Sequence, residues 1–223
     1  MINYKELSNY IIMKCNKEDK DISNKKLQKI IFYCQAYHIA IYKEKLIDND
    51  FEAWRHGAVL PVLYNNYCKY GYNNINKYTE EAYNKARRVM GVYLCDFLDT
   101  IIDKFSSMSA DCIEILNHSE LPWQEAREGY LPSQNCNEVI NEETINRYYS
   151  ELLYKEVEKD MEVNKVKKIS IKSKKLLMAK QRLSERKLTI INEDNKDEYY
   201  ESLFNDFEEG REYTWRAMDG KQV

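Results

Sequence analysis

The chain has 223 residues with only 6 Gly and 3 Pro, a net charge of −3 and 43% hydrophobic residues. Average domains hold roughly 12% Gly plus Pro, so this composition argues against turn-rich all-β folds and Gly-built phosphate loops and points to helices. The near balance of 34 basic and 37 acidic residues argues against a protein that binds nucleic acid through its whole surface, and the hydrophobic fraction argues against wholesale disorder.

No apolar run approaches the roughly 18 residues of a membrane span, and the opening MINYKELSNY lacks the apolar core of a signal peptide. The expected setting is the cytoplasm, with no membrane partner. Six cysteines, Cys15, Cys34, Cys68, Cys95, Cys112 and Cys136, are scattered without a CxxC pair. In a reducing compartment they act as small hydrophobes, and no metal site or cofactor is expected of them.

In chain order, Leu7, Tyr10 and Ile11 mark a first short helix. Ser23 is placed to cap a second, in which Leu27, Ile30, Ile31, Cys34, His38 and Ile41 form one stripe at helical spacing. Phe51 to Arg55 is too short and bulky for a helix, so an extended segment is expected there, with His56 and Gly57 turning the chain. Pro61 starts another helix, which Gly71 ends. The strongest helical signal follows: Leu94, Phe97, Leu98, Ile101, Ile102 and Phe105 fall at i, i+3, i+4, i+7, i+8 and i+11. Ser109 caps a helix carrying Cys112, Ile113 and Leu116, which Pro122 and Trp123 interrupt. After a loop around Gly129 and Pro132, Asn141 caps a last helix bearing Ile145, Tyr148, Tyr149 and Leu152. The expected fold is mainly α: a compact multi-helix domain over residues 1–154 with a short extended aromatic insertion, followed by a charged C-terminal appendage over residues 155–223.

The appendage is sharply divided by charge. Residues 165–187 hold ten Lys or Arg and one acid, a local charge of +9; residues 192–212 hold nine acids and two bases, a local charge of −7. The acidic block places Tyr200, Leu203, Phe204 and Phe207 at i, i+3, i+4 and i+7, an acidic helix with an aromatic ridge. Two readings stand. The blocks fold back as ordinary solvated helices with complementary faces, or they engage a partner with the aromatic ridge as anchor.

Catalytic signatures are missing. No Walker loop, GxGxxG, HExxH, GxSxG or EF-hand pattern is present, and no catalytic residue is assigned. His38 lies on the apolar side of its helix, as a core-edge histidine would. His56 precedes the turn glycine and is placed to orient it. His118 ends a helix, where an imidazolium suits the dipole. The pairs Glu80–Glu81 and Glu142–Glu143 suit first turns of helices for the converse reason. The basic block supports DNA binding as an alternative, against which stand the lack of an aromatic in that block and the acidic block beside it.

Three segments carry a resemblance. Ser23 to His38 contains a Leu-x-Lys start leading to an aromatic pair, Phe32 and Tyr33, and then Gln35. Phe51-Glu-Ala-Trp-Arg-His-Gly-Ala-Val-Leu-Pro-Val-Leu-Tyr64 is similar to a Glu-Ala-Trp-Arg-x-Gly-Pro-Val signature. His118-Ser-Glu-Leu-Pro-Trp-Gln-Glu-Ala126 looks like a His-x-x-x-x-Pro-Trp-x-x-Ala motif, with three residues rather than four between His118 and Pro122. In order and spacing these resemble the SocA/GepA-like phage-associated family, the Panacea antitoxin domain, over roughly residues 1–154. Where the family pattern has Pro, this chain has Ala58; losing a fixed φ is expected to loosen the turn.

The resemblance implies a non-enzymatic antitoxin of a toxin–antitoxin system that neutralises a cognate protein toxin by direct binding. One branch of the family resembles a proteolytic adaptor that delivers its toxin to a ClpXP-type protease, which is the alternative reading alongside a DNA-binding autoregulator. Among the motif residues, Gln28, Lys29, Gln35 and Arg55 are polar and less easily assigned to packing, so they are expected on a shared functional surface. Trp54 beside Arg55 reads either as a folded clasp or as an exposed aromatic–guanidinium pair suited to an interface. The appendage is expected to supply toxin specificity, with Tyr200, Leu203, Phe204, Phe207 and Trp215 as apolar anchors.

Overall fold

The computed structural model describes residues 1–131 and 133–163. The chain divides after Tyr149, and the architecture below is that of the unit Met1–Tyr149. The basic block, the acidic block and Tyr200, Leu203, Phe204, Phe207 and Trp215 lie outside the described residues.

The described residues form seven α-helices and one two-stranded antiparallel hairpin. In order these are α1 (Tyr4–Lys17), α2 (Asn24–Tyr42), β1 (Glu52–Trp54), β2 (Gly57–Val59), α3 (Pro61–Tyr67), α4 (Glu80–Ser106), α5 (Ala110–His118), α6 (Leu121–Ala126) and α7 (Glu142–Val163). Side-chain caps start most of the longer helices. Asn3, Ser23, Thr79 and Ser109 accept from backbone N–H groups in the first turns of α1, α2, α4 and α5, and Asn141 accepts from Thr144 N at 3.1 Å to start α7. Each satisfies a donor that the helix itself cannot. The expected mainly helical fold is what the chain adopts.

Helix α2 departs from the one-sided stripe. Residues 26–41 are buried without interruption, because α1, α3, α4, α5 and β2 all pack against it. It is the central rod of the unit, and its polar residues are buried along with its apolar ones. Against it stands an aromatic core. Tyr33 stacks on Phe105 of α4 with centroids 3.9 Å apart, and Phe32 meets Phe51 edge-on at 5.3 Å. Tyr149 of α7 lies 5.4 Å from Tyr37. Such pairs add to the large area that each ring buries.

Three other local expectations are refined. Helix α3 ends at Tyr67 and a 3₁₀ turn, Cys68–Tyr70, carries the chain to Gly71. Pro122 and Trp123 do not interrupt α5, which has already ended at His118; they sit in the separate short helix α6. Helix α4 is broken at Gly91, whose φ of 77° and ψ of 154° are not helical. Arg87 spans the break, donating to Asp99 Oδ2 and to Tyr10 Oη, each at 2.8 Å. Tyr10 in turn donates to Asp99 Oδ1 at 2.6 Å, so α1 and both halves of α4 share one polar knot.

Replacing Phe105 by Ala removes the ring that stacks on Tyr33 and leaves a cavity beside α2. A loss of about 3–5 kcal/mol in stability is expected for a buried Phe→Ala change, read as a lowered midpoint in urea unfolding with an unchanged slope.

Candidate functional site

The extended segment expected around Phe51 is half of a hairpin. Strand β1 pairs with β2 in the register Glu52↔Val59, Ala53↔Ala58, Trp54↔Gly57, so Arg55 and His56 form the tip. Gly57 takes the positive φ, 93°, that brings the chain back. A Cβ there would stand 2.6 Å from Asn117 Oδ1 and 2.7 Å from the end of Lys29, which leaves room for no other residue. On the far side of β1, Ala53 N donates to Glu138 O and Ile140 N to Phe51 O, each at 2.8 Å.

Side chains from helices on either side hold this hairpin by its backbone. Lys29 Nζ donates to Ala58 O at 2.9 Å, and Gln28 Oε1 accepts from Leu60 N at 2.9 Å. Asn117 Oδ1 accepts from Ala58 N at 2.6 Å. Trp123 Nε1 donates to Trp54 O at 3.0 Å, and Arg127 donates to Ala53 O at 2.9 Å and to Leu131 O and Gln134 O. The Arg127 guanidinium also lies over the Trp123 ring, 5.0 Å from its centroid.

Three of the residues expected on a functional surface are therefore internal. Gln28, Lys29 and Gln35 are 1%, 1% and 2% exposed. Gln35 spends its amide on a neighbouring loop, accepting from Leu46 N and Ile47 N and donating to Ile47 O. A buried amide or ammonium is tolerated only with such partners; Gln28 also donates to Asn24 Oδ1 at 3.1 Å, and the other partners are backbone groups that no sequence pattern displays. Ala58 corrects a second expectation. Its N–H is the donor to Asn117, so the turn is tied at the point where a proline would have no hydrogen to offer.

Trp54 and Arg55 are placed differently. Arg55 is exposed and Trp54 half-buried; the Trp54 ring leans on Tyr64 at 5.0 Å, and its indole donates to Glu52 Oε2 at 2.6 Å. Both border a half-open cleft of about 830 Å³ between the start of α2, the hairpin, α3 and residues 135–137. Gln28 and Lys29 form part of its inner wall, so four of the sequence-selected residues do meet at one place, while Gln35 does not.

The electrostatics around the tip follow from burial. Desolvation pushes Lys29 down to about 7, partly countered by Glu114. Burial acts to raise Glu114, but the hydrogen bonds from Lys25 and His56 outweigh it and hold its carboxyl below the usual range. His56 Nδ1 lies 2.9 Å from Glu114 Oε1. His118 stacks on Trp123 at 4.1 Å, and burial lowers its pKa, so the imidazolium expected at the end of α5 is disfavoured there. All six cysteines are free; burial raises Cys15 to about 11, so its thiol stays protonated. Among the described residues no group of His, Cys, Asp or Glu is placed to hold a metal, and no helix is long and apolar enough to cross a membrane.

Several of the supporting residues were not singled out by sequence. Asn117 and Arg127 flank the His118–Ala126 motif without belonging to it, and Tyr72 borders the cleft beyond α3. Tyr64, which borders it from α3, closes the Phe51–Tyr64 segment but drew no role there.

Two outcomes follow from this geometry. Ala58→Pro deletes the hydrogen given to Asn117 and strands a buried acceptor, so a loss of about 1–3 kcal/mol is expected in chemical denaturation. For Lys29, the folded state binds fewer protons than the unfolded chain between pH 7 and the ordinary lysine value, so stability rises with pH across that range. Wild-type protein is expected to gain about 2–3 kcal/mol from pH 7 to pH 9 through this group. Lys29→Met should lose that gain, whatever its stability at pH 7, as read from unfolding curves at the two pH values.

Residues 27–124 match the family model described as antitoxin SocA-like, Panacea domain. No curated protein and no solved structure matches the chain. The match begins inside α2 and ends just past Trp123, so it takes in most of the central helix, the hairpin and most of the side chains that fasten one to the other: over residues 27–124 this chain is similar to the SocA-like Panacea antitoxin family.

Proposed function

We propose that this protein is the antitoxin of a toxin–antitoxin pair and that it neutralises a cognate protein toxin by binding it, without catalysis, in the cytoplasm. The observation that carries this reading is the family match over residues 27–124. The site supports it in kind: a rigidly held tip that presents Trp54 and Arg55 has the residue types and the preorganisation of an interface anchor. Residues 155–223, with their opposed charge blocks and the anchors Tyr200, Leu203, Phe204, Phe207 and Trp215, are the proposed specificity region, and residues 1–154 the shared scaffold.

Co-expression tests both parts. The product of the adjacent reading frame, toxic alone, is expected to be harmless beside this chain and to co-purify with it; toxicity undiminished by the full chain overturns the reading. A chain truncated after Val163 is expected to lose protection against that toxin. Full protection by the truncated chain would show that specificity resides in the first 163 residues.

A further inference from the structure

The hairpin offers little backbone for a partner to pair with. Strand β1 is bonded on one side to β2 and on the other to residues 138–140, and Ala58 in β2 spends its N–H on Asn117 and its carbonyl on Lys29. Recognition by strand addition needs an open edge, so recognition at this tip falls to side chains.

The side chains around the cleft are unequal in charge. Four basic groups line it, Lys25, Lys29, Arg55 and His56, against one carboxylate, Glu52. Lys25 is paired with Asp111 and Glu114, and His56 with Glu114. Lys29 is sealed beneath Gly57 on Ala58 O. Glu52 already accepts the Trp54 indole. Arg55 remains: exposed, at the tip of a clamped turn, with no hydrogen bond or ion pair among the described residues. Beside it Trp54 and Tyr64 form a tilted aromatic pair, and Tyr72, 94% exposed, borders the same opening. A guanidinium without a partner next to apolar rings is complementary to a carboxylate carried beside an apolar side chain.

Resting on the antitoxin reading, we propose that this cleft receives an acidic side chain of the toxin, which pairs with Arg55, while the neighbouring apolar side chain of the toxin seats against Trp54, Tyr64 and Tyr72. The volume of about 830 Å³ has room for two or three side chains. The hairpin is already fixed from both sides, so little of its freedom remains to be lost when the partner docks.

The full-length protein can be titrated with two capped peptides, acetyl-Phe-Glu-Phe-amide and acetyl-Phe-Gln-Phe-amide, and separately with ATP. The readout is the indole N–H resonance of Trp54, assigned through Trp54→Phe. The Glu peptide is expected to shift this resonance, with binding about tenfold or more weaker for the Gln peptide and for the Glu peptide on Arg55→Gln, the size of an interface arginine's loss. Equal binding of the two peptides, or no shift from either at about 5 mM, overturns the proposal. A shift from ATP with none from the Glu peptide also overturns it, in favour of a nucleotide site.

In co-expression, Arg55→Glu is expected to abolish protection, with rescue by toxin variants that exchange an Asp or Glu for Arg or Lys. Protection undiminished by Arg55→Glu overturns the cleft proposal and leaves the antitoxin reading intact. If the wild-type chain protects against nothing, the antitoxin reading fails, and the peptide titration still decides what the cleft binds. Arg55 is exposed, so the melting temperature of both variants is expected to match the wild type.

Discussion

Much of this unit hangs on one buried carboxylate. Glu120, 3% exposed, accepts from Tyr33 of α2 at 3.0 Å, from Tyr149 of α7 at 2.7 Å and from Asn117 at the end of α5 at 3.3 Å, all on the same oxygen. Burial raises its pKa, and the hydrogen bonds from the two tyrosines and Asn117 oppose the shift. A buried carboxylate is tolerable only with such a set of donors. Each donor therefore fixes the helix that carries it, and the central, fifth and seventh helices meet at one point.

From that point the constraint passes outward. Asn117 donates an amide hydrogen to Glu120 and its oxygen accepts from Ala58 N, so the position of the hairpin is referred back to the aromatic core. Lys29 holds the same residue's carbonyl from below, and Trp123 and Arg127 hold the opposite strand. The network stops at the tip, where Arg55 has nothing to hold among the described residues.

How legible this was in the sequence depended on the kind of interaction. Caps were readable because Ser23, Ser109 and Asn141 act within their own first turn, and the run from Leu94 to Phe105 was readable because periodicity is local. The hairpin was half readable: Phe51–Arg55 looked extended and Gly57 looked like a turn, but β2 gave no alternation of its own. Gln28, Lys29 and Gln35 misled for a definite reason. Polar residues on an otherwise apolar helix look like a surface unless their partners are known, and all but one of these partners, Asn24 Oδ1, are main-chain atoms 11 to 32 positions away. The break at Gly91 was hidden because a single glycine does not disturb a hydrophobic stripe that begins three residues later.

The clasp on the hairpin has a consequence for how such a protein can diversify. Lys29, Asn117, Trp123 and Arg127 grip Ala53, Trp54 and Ala58 by amide and carbonyl groups that every non-proline residue possesses. A grip of that kind is blind to side-chain identity at the tip. Substitutions at positions 54–56 can therefore rewrite what the protein displays without renegotiating what keeps it folded. The division of labour is drawn between main chain and side chain of the same few residues, which gives one scaffold the means to meet many different faces.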